Sequence, residues 1–329
     1  MTDLGGKPRA FWTTGVGVGE IRAEFVPAPG PGELRVQTLY SAVSRGTESL
    51  VFQGHVPESE FSRMRCPHQA GDFPAPVKYG YSSVGRVVAG GGELEGRLVF
   101  CLYPHQSEYV VGASALLPLP DDVPSGRAVL AANMESAVNA IWDLNPRLGD
   151  RITVIGAGVL GCLCAYLLRQ QAAVDVELVD LLAGRASVAA ALGVRFRAPE
   201  RASGSRDLVV HASASEAGLQ RALGLLAPEG TLLELSWYGD ASPSVPLGRD
   251  FHVNRLNLRS SQVGRVSPNA RARFGNRERL ELALSLCRDS ALDSLIDGES
   301  PFESLPEVLR ELSAQSGALC RRIRYASAS

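Results

Sequence analysis

A β-branched run entering a glycine turn, Ile152-Thr-Val-Ile-Gly156-Ala-Gly158-Val-Leu-Gly161, constrains this chain more than any other stretch. The three glycines stand at G-x-G-x-x-G spacing, and an apolar helical stretch follows from Cys162 to Arg169. A second apolar run, Val176-Glu-Leu-Val-Asp180, comes next. Gly156 permits the tight turn, Gly158 lets a pyrophosphate approach the backbone, and Gly161 lets the helix pack closely on its strand. Val159 and Leu160 then offer N–H groups at the positive end of the helix dipole, which holds phosphate. Asp180 ends the second strand nineteen residues past Gly161, where a carboxylate accepts ribose hydroxyls. Strand, glycines, helix, strand and acid in register predict a dinucleotide site; the bland alternative is a tight βαβ turn that holds nothing.

A chain of 329 residues is large for a single core, so two domains are expected. The net charge of −2 gives no electrostatic reason to invoke nucleic acid or an acidic membrane. No apolar run approaches the roughly 18–20 residues that span a bilayer. The first residues, Met-Thr-Asp-Leu-Gly-Gly-Lys7, lack the hydrophobic stretch of a secretory signal, so a cytoplasmic protein is expected. The six cysteines, at 66, 101, 162, 164, 287 and 320, form no C-x-x-C pair, which argues against a structural zinc. Cys66 and His68 alone fall short of a metal site, and Cys162 and Cys164 read as small packing residues on a helix.

Up to about residue 125 the chain is rich in glycine, proline and short β-branched runs, such as Glu33–Tyr40, Ser83–Val88 and Arg97–Leu102. This texture predicts a small β-rich domain. A helix is expected over Ala128–Leu144, after which strands and helices alternate, the pattern of a doubly wound parallel sheet. Its further elements are a helix over Arg185–Leu192, a strand over Asp207–Ala212, a helix over Glu216–Leu226, and strands over Gly230–Leu235 and Leu256–Ser260. Two amphipathic helices, Arg277–Arg288 and Leu305–Leu312, precede a last strand within Ala318–Tyr325. His211, Ala212 and Ser213 close a strand on the face where ligands bind such sheets, so their backbone is expected to line the cofactor. Trp237 and Tyr238 close another strand and offer a planar apolar wall to substrate. Arg255, Arg259, Arg265, Arg271, Arg273, Arg277 and Arg279 form either a solvated face or a clamp for an anionic substrate.

The order of β-rich domain, nucleotide fold and short return resembles the medium-chain dehydrogenase/reductase family, the alcohol dehydrogenase-like proteins. The carriers are Ser44-Arg-Gly-Thr-Glu48, Gly80-Tyr-Ser-Ser-Val-Gly85, Pro118-Leu-Pro-Asp-Asp-Val-Pro124, Gly149–Gly158 and Ala227-Pro-Glu-Gly-Thr231. The resemblance implies an α/β fold: a β-rich GroES-like catalytic domain (1–125), a Rossmann doubly wound parallel sheet (126–266), and a return to the catalytic domain (267–329). It also implies a cleft between the domains, and a homodimer. The Ser44–Glu48 segment is similar to that of bacteriochlorophyllide-type dehydrogenases, which suggests a bulky substrate.

Departures from the family pattern carry as much information. Zinc-dependent members have a Cys where this chain has Ser44 or Arg45, a His where it has Tyr81, and a Cys or Glu near Asn133. Ser, Tyr and Asn do not supply the three ligands a catalytic zinc needs, so no zinc is expected. Glu48, Glu135, His55 and His105 are the residues from which an unorthodox metal site would have to be built. Without a metal, hydride transfer still needs a partner for the charge developing on the substrate oxygen. The family positions assign that role to Tyr81, with Thr47 and Ser44 as catalytic companions, and place Arg45 near the pyrophosphate. Asn133 and Glu135 would orient substrate. Asp180 favours NAD(H) over NADP(H), since a carboxylate repels a 2′-phosphate, and Arg185 matches a position that contacts the adenosine ribose. Ser261, Gln262 and Val263 fall where the family holds the nicotinamide carboxamide. The expected activity is a zinc-independent NAD(H)-dependent oxidation or reduction of a carbonyl/hydroxyl pair. Reduction of quinones or activated C=C bonds, and a non-catalytic dinucleotide-binding role, are the alternatives.

Overall fold

The computed structural model describes residues 7–315 and 317–326, so the first six residues, read above for a leader, lie outside it. The described chain forms two compact units, one reaching to Ala132 and resuming at Ile296, the other spanning Asn133–Leu295.

In the second unit six strands form one parallel sheet. Its spatial order is Arg195–Arg197, Asp175–Val179, Arg151–Ile155, Arg206–His211, Leu226–Glu234, Asn257–Ser260. In sequence order this is 3-2-1-4-5-6, and the order reverses between Arg151–Ile155 and Arg206–His211. In sheets of this kind ligands bind beyond the carboxyl ends of the strands, at the point of reversal. Ile152, Val154, Val209 and Val210 are fully buried, as expected of central strands covered on both faces. The helix Val159–Arg169 buries Cys162, Leu163, Cys164 and Ala165 without exposed area, so the two cysteines pack as the sequence suggested.

In the first unit, Glu33–Val43 pairs antiparallel with Ser83–Ala89, Glu108–Gly112 and Cys320–Arg324 and organises a seven-stranded sheet. A smaller four-stranded sheet is built on the hairpin Arg9–Gly15 and Val18–Ala23. The helix Leu305–Ala314 presents Leu305, Val308, Leu309 and Leu312 at helical spacing to Phe11, Val43, Phe52 and Ile323, which fastens the returning chain to this unit. No helix among the described residues is long and apolar enough to cross a membrane.

Two boundaries differ from the sequence reading. The helix expected over 128–144 is broken into Ser125–Ala128 and Ala131–Leu144. At the break the Val129 carbonyl accepts the Ser82 hydroxyl at 2.5 Å, and Leu130 N–H turns back to Arg127 O at 3.0 Å. The return begins at Ile296, not at 267, because the helix Asn276–Leu286 belongs to the second unit. That helix buries Leu280, Ala283, Leu284 and the guanidinium of Arg279, a commitment that residue-by-residue polarity does not announce.

Candidate active site

Gly156 leaves the strand Arg151–Ile155 with φ +102°, a left-handed conformation that suits glycine. A Cβ there would lie 2.8 Å from the Ala212 carbonyl carbon and the Ser213 nitrogen, so the two loops of the switch point touch. A Cβ on Gly158 would meet nothing within 4 Å, and this opening faces the first turn of Val159–Arg169. Gly161 is the tightest position, where a Cβ would sit 1.8 Å from the Gly156 oxygen. Asp180 braces the turn, its Oδ2 accepting the Ala157 N–H at 2.7 Å and its Oδ1 the Leu182 N–H at 2.8 Å. The open cradle at Gly158, the unfilled donors of a helix's first turn and the nearby carboxylate fit a dinucleotide. Gly161→Ala is expected to raise the NADH dissociation constant at least about tenfold, a loss of ~1.4 kcal/mol, when titrated by fluorescence.

Arg185 is buried at the start of the helix Arg185–Ala191. Burial pushes the Cys162 thiol up to about 12, and the charges of Arg185 and Asp180 act on it in opposite directions, which places both beside that cysteine. His211 is fully buried, with both ring nitrogens engaged: Nδ1 to Glu234 Oε2 at 2.7 Å and Nε2 to Ser213 Oγ at 2.6 Å. Tyr238 leans on the same pair, its hydroxyl 3.3 Å from Glu234 Oε2. Trp237 beside it is half-buried.

The loop Ser261–Val263 is braced from below. Ser261 donates to Asp143 at 2.6 Å, the Gln262 carbonyl accepts from Asn139 at 3.4 Å, and the Val263 carbonyl accepts from Arg279 at 2.6 Å. Gln262 folds its side-chain oxygen onto the Gly264 N–H at 2.7 Å.

In the first unit, the helix Arg45–Phe52 begins at Ser44, whose N–H donates to Glu48 Oε1 at 2.7 Å. Glu48 Oε2 meets His105 Nε2 at 2.8 Å, and His105 Nδ1 meets Ser41 Oγ at 2.7 Å, which in turn lies 3.0 Å from the Tyr325 hydroxyl. Ser44 and Thr47 both hydrogen-bond the Tyr81 phenol oxygen. Burial, reinforced by the nearby Glu48 carboxylate, pushes the Tyr81 phenol well above its ordinary range, and the two hydroxyls pull it only part of the way back. Tyr81 therefore stays a neutral phenol throughout the physiological range and is chemically a proton donor.

No family model matches the chain. D-guloside 3-dehydrogenase of Escherichia coli (strain K12) is 26% identical over 307 residues, covering 84% of this chain and 87% of that protein. (R,R)-Butanediol dehydrogenase of Bacillus subtilis (strain 168) is 22% identical, covering 88% of this chain and 91% of that protein. Among solved structures, a dehydrogenase of the zinc-binding class from Sinorhizobium meliloti 1021, bound to NADP, superposes with a TM-score of 0.78. That likeness spans 97% of this chain and 99% of the other at 16% identity, and so concerns the fold. Over most of its length the chain is similar to medium-chain, alcohol dehydrogenase-like dehydrogenases, and it shares their fold.

Several side chains of this chain sit elsewhere than the sequence suggested. Glu135 does not face a substrate: its Oε1 takes two N–H groups of Arg279 at 2.9 and 3.1 Å, in the interior. Arg45 turns from the expected phosphate role to the Leu312 carbonyl, 3.2 Å from its Nε, at the carbonyl end of the helix Leu305–Ala314, where cations are favoured. Four of the seven arginines in the run are engaged with acceptors of the chain itself. Arg279 points inward, Arg259 bonds the Asp143 carbonyl at 3.0 Å, and Arg255 and Arg277 make exposed pairs with Glu229 and Glu281. Asn133 is half-buried at the start of the second unit.

The donors around Tyr81 do not fit zinc. Among the described residues no three His, Cys, Asp or Glu side chains gather closely enough to hold a metal. Glu48 and His105 are spent on one another, and Glu135 on Arg279. Cys66 keeps its proton, burial pushing the thiol up to about 12, while His68 stacks on Tyr103 with centroids 5.1 Å apart. The sequence reading missed Ser41, Tyr325 and Glu234 altogether. Glu234 was discoverable, since strand alignment sets it directly opposite His211.

Proposed function

We propose that this protein is a zinc-independent, NAD(H)-preferring oxidoreductase acting on a carbonyl/hydroxyl pair. The observation that carries the reading is Tyr81, a neutral phenol supported by Ser44 and Thr47 at the family's metal-ligand position. NAD(H) supplies the hydride donor or acceptor. The chain's residues do the rest: Gly156, Gly158, Val159, Leu160 and Gly161 form the phosphate cradle, and Asp180 takes the ribose side. The backbone of Ala212 and Ser213 lines the crevice. Tyr81 donates a proton to the carbonyl oxygen as negative charge grows there, and Thr47 and Ser44 hold its phenol in place. Asp180 supports NAD(H) over NADP(H), and buried Arg185 beside it moderates that preference. The two curated relatives act on a glycoside hydroxyl and on a diol, which supports a hydroxyl-bearing, sugar- or polyol-like substrate for this chain too. Four of the seven arginines of the run are engaged within the chain, which weighs against an anion clamp. The strand Asn257–Ser260 pairs on one side only and is exposed along its length, which supports homodimer formation by edge pairing.

The test is coenzyme oxidation after exhaustive chelation, with NADH and NADPH each offered ketoses and ketones, enones, and quinones. Turnover of ketones with NADH in metal-free protein is expected. Activity that vanishes on chelation and returns with Zn²⁺ would overturn the metal-free part, and turnover confined to enones or quinones would overturn the substrate class.

A further inference from the structure

We propose that His211 and Glu234 act as a positioning couple that sets the polarity of the Ser213 hydroxyl, so that gripping the coenzyme takes up a proton; this rests on the coenzyme reading above. Ser213 stands on the loop that touches Gly156, at the switch point of the sheet, and is half-buried. Behind it runs a directed chain. Ser215 Oγ accepts the Gly218 N–H at 3.1 Å and lies 2.9 Å from Ser213 Oγ. Ser213 Oγ lies 2.6 Å from His211 Nε2, and Nδ1 lies 2.7 Å from Glu234 Oε2.

A carboxylate only accepts, so Nδ1 carries a hydrogen and donates to Glu234. In the neutral ring Nε2 is then an acceptor and binds the Ser213 hydrogen, leaving only lone pairs of that oxygen for a ligand. With a second proton on the ring, Nε2–H donates to Ser213 Oγ, and the serine hydrogen is released to point elsewhere. Phosphate oxygens accept and do not donate, so a phosphate-bearing ligand in the crevice selects the second arrangement. Glu234 stabilises the imidazolium that goes with it.

The groups facing His211 allow this assignment. Glu234 comes from the adjacent strand and accepts the Ser236 N–H at 2.7 Å through its other oxygen. Tyr238 contributes a phenol that burial, helped by the Glu234 charge, pushes well above its ordinary range, so it keeps its proton. Ser213, Ser215 and Ser236 bring hydroxyls. Gly218 brings backbone alone, a Cβ there falling 2.3 Å from Ser213 Oγ and 2.7 Å from His211 Nε2, and Ile155 of the neighbouring strand brings alkyl groups. The His211–Glu234 couple is the proton acceptor of this cluster.

The experiment is titration calorimetry of the intact protein with ADP-ribose between pH 6 and 9, in paired buffers of different ionisation heat. The wild type is expected to take up a fraction of a proton, with affinity falling as pH rises by up to about tenfold per unit. His211→Gln and Ser213→Ala are expected to bind with no buffer dependence and a flat pH profile; Ser213→Ala, at a half-buried site, supplies the test if the histidine variant does not fold. Binding without proton uptake in the wild type, or with equal uptake in Ser213→Ala, overturns the proposal. Absence of ADP-ribose binding at any pH overturns it together with the coenzyme reading, and is distinguished by the missing heat itself.

Discussion

Tyr81→Phe is expected to lower kcat for carbonyl reduction at least about tenfold, the low end of what a positioned proton donor contributes, while NADH affinity holds. The substitution removes one oxygen and keeps the ring, which meets Tyr79 edge-on at 6.0 Å, so packing is preserved. In the proposed mechanism, what is lost is the hydrogen offered to the substrate oxygen as charge develops there. Because burial keeps the phenol protonated well beyond its ordinary range, the reduction rate of the parent enzyme should not fall through loss of the Tyr81 proton below that range. The variant should also lose the proton-transfer component of the solvent deuterium isotope effect. Steady-state kinetics with NADH across pH, in H₂O and D₂O, read all four quantities. Unchanged turnover with an unchanged isotope effect would remove Tyr81 from the mechanism and leave its hydroxyl partners as turn residues. Thr47→Val, which removes one of the hydroxyls holding the phenol, should produce a smaller effect of the same kind.

Periodicity and glycine placement made the second unit legible from sequence. The run Ile152–Ile155, the three glycines and Asp180 have places that are local, each set by a backbone angle or a strand end, so spacing alone reveals where they sit. The bounds of Glu216–Leu225 and Leu305–Ala314 came within two residues for the same reason. The side-chain partnerships were not legible, because they join positions far apart in the chain. Arg279 looked like one of seven surface arginines, yet it is the one that folds inward, since Glu135 lies 144 residues away in sequence and waits for it. Glu48 and His105 were weighed as metal donors and instead satisfy each other. Polarity patterns can mark such residues as unusual in an apolar neighbourhood, but only the tertiary pairing decides whether they face a ligand or one another.

Arg279→Met is the second large effect expected. The Arg279 guanidinium, buried with Glu135, meets that carboxylate, the Asn139 side-chain oxygen at 2.8 Å and the Val263 carbonyl at 2.6 Å. Methionine fills similar volume but leaves a buried carboxylate alone, and breaking one side of such a pair costs about 3–5 kcal/mol. For a unit of this size the melting midpoint should fall on the order of 10 °C at neutral pH. The pH dependence has a definite sign. Burial raises the Glu135 carboxyl above its ordinary value, and Arg279 is what pulls it down. A raised carboxyl favours the fold below its unfolded range and loses that support as pH rises through the folded value. Removing Arg279 raises it further, so the variant should be weakest at neutral pH and recover as pH falls through that raised value, where the acid takes a proton. Adding Glu135→Gln should restore much of the stability at neutral pH by removing the orphaned charge, leaving a residual loss from the freed Val263 and Asn139 acceptors. Thermal melts of the parent, the single variant and the double variant at two pH values measure each of these. A single variant as stable as the parent at neutral pH would mean that the buried pair, and with it the bracing of Ser261–Val263, does not form.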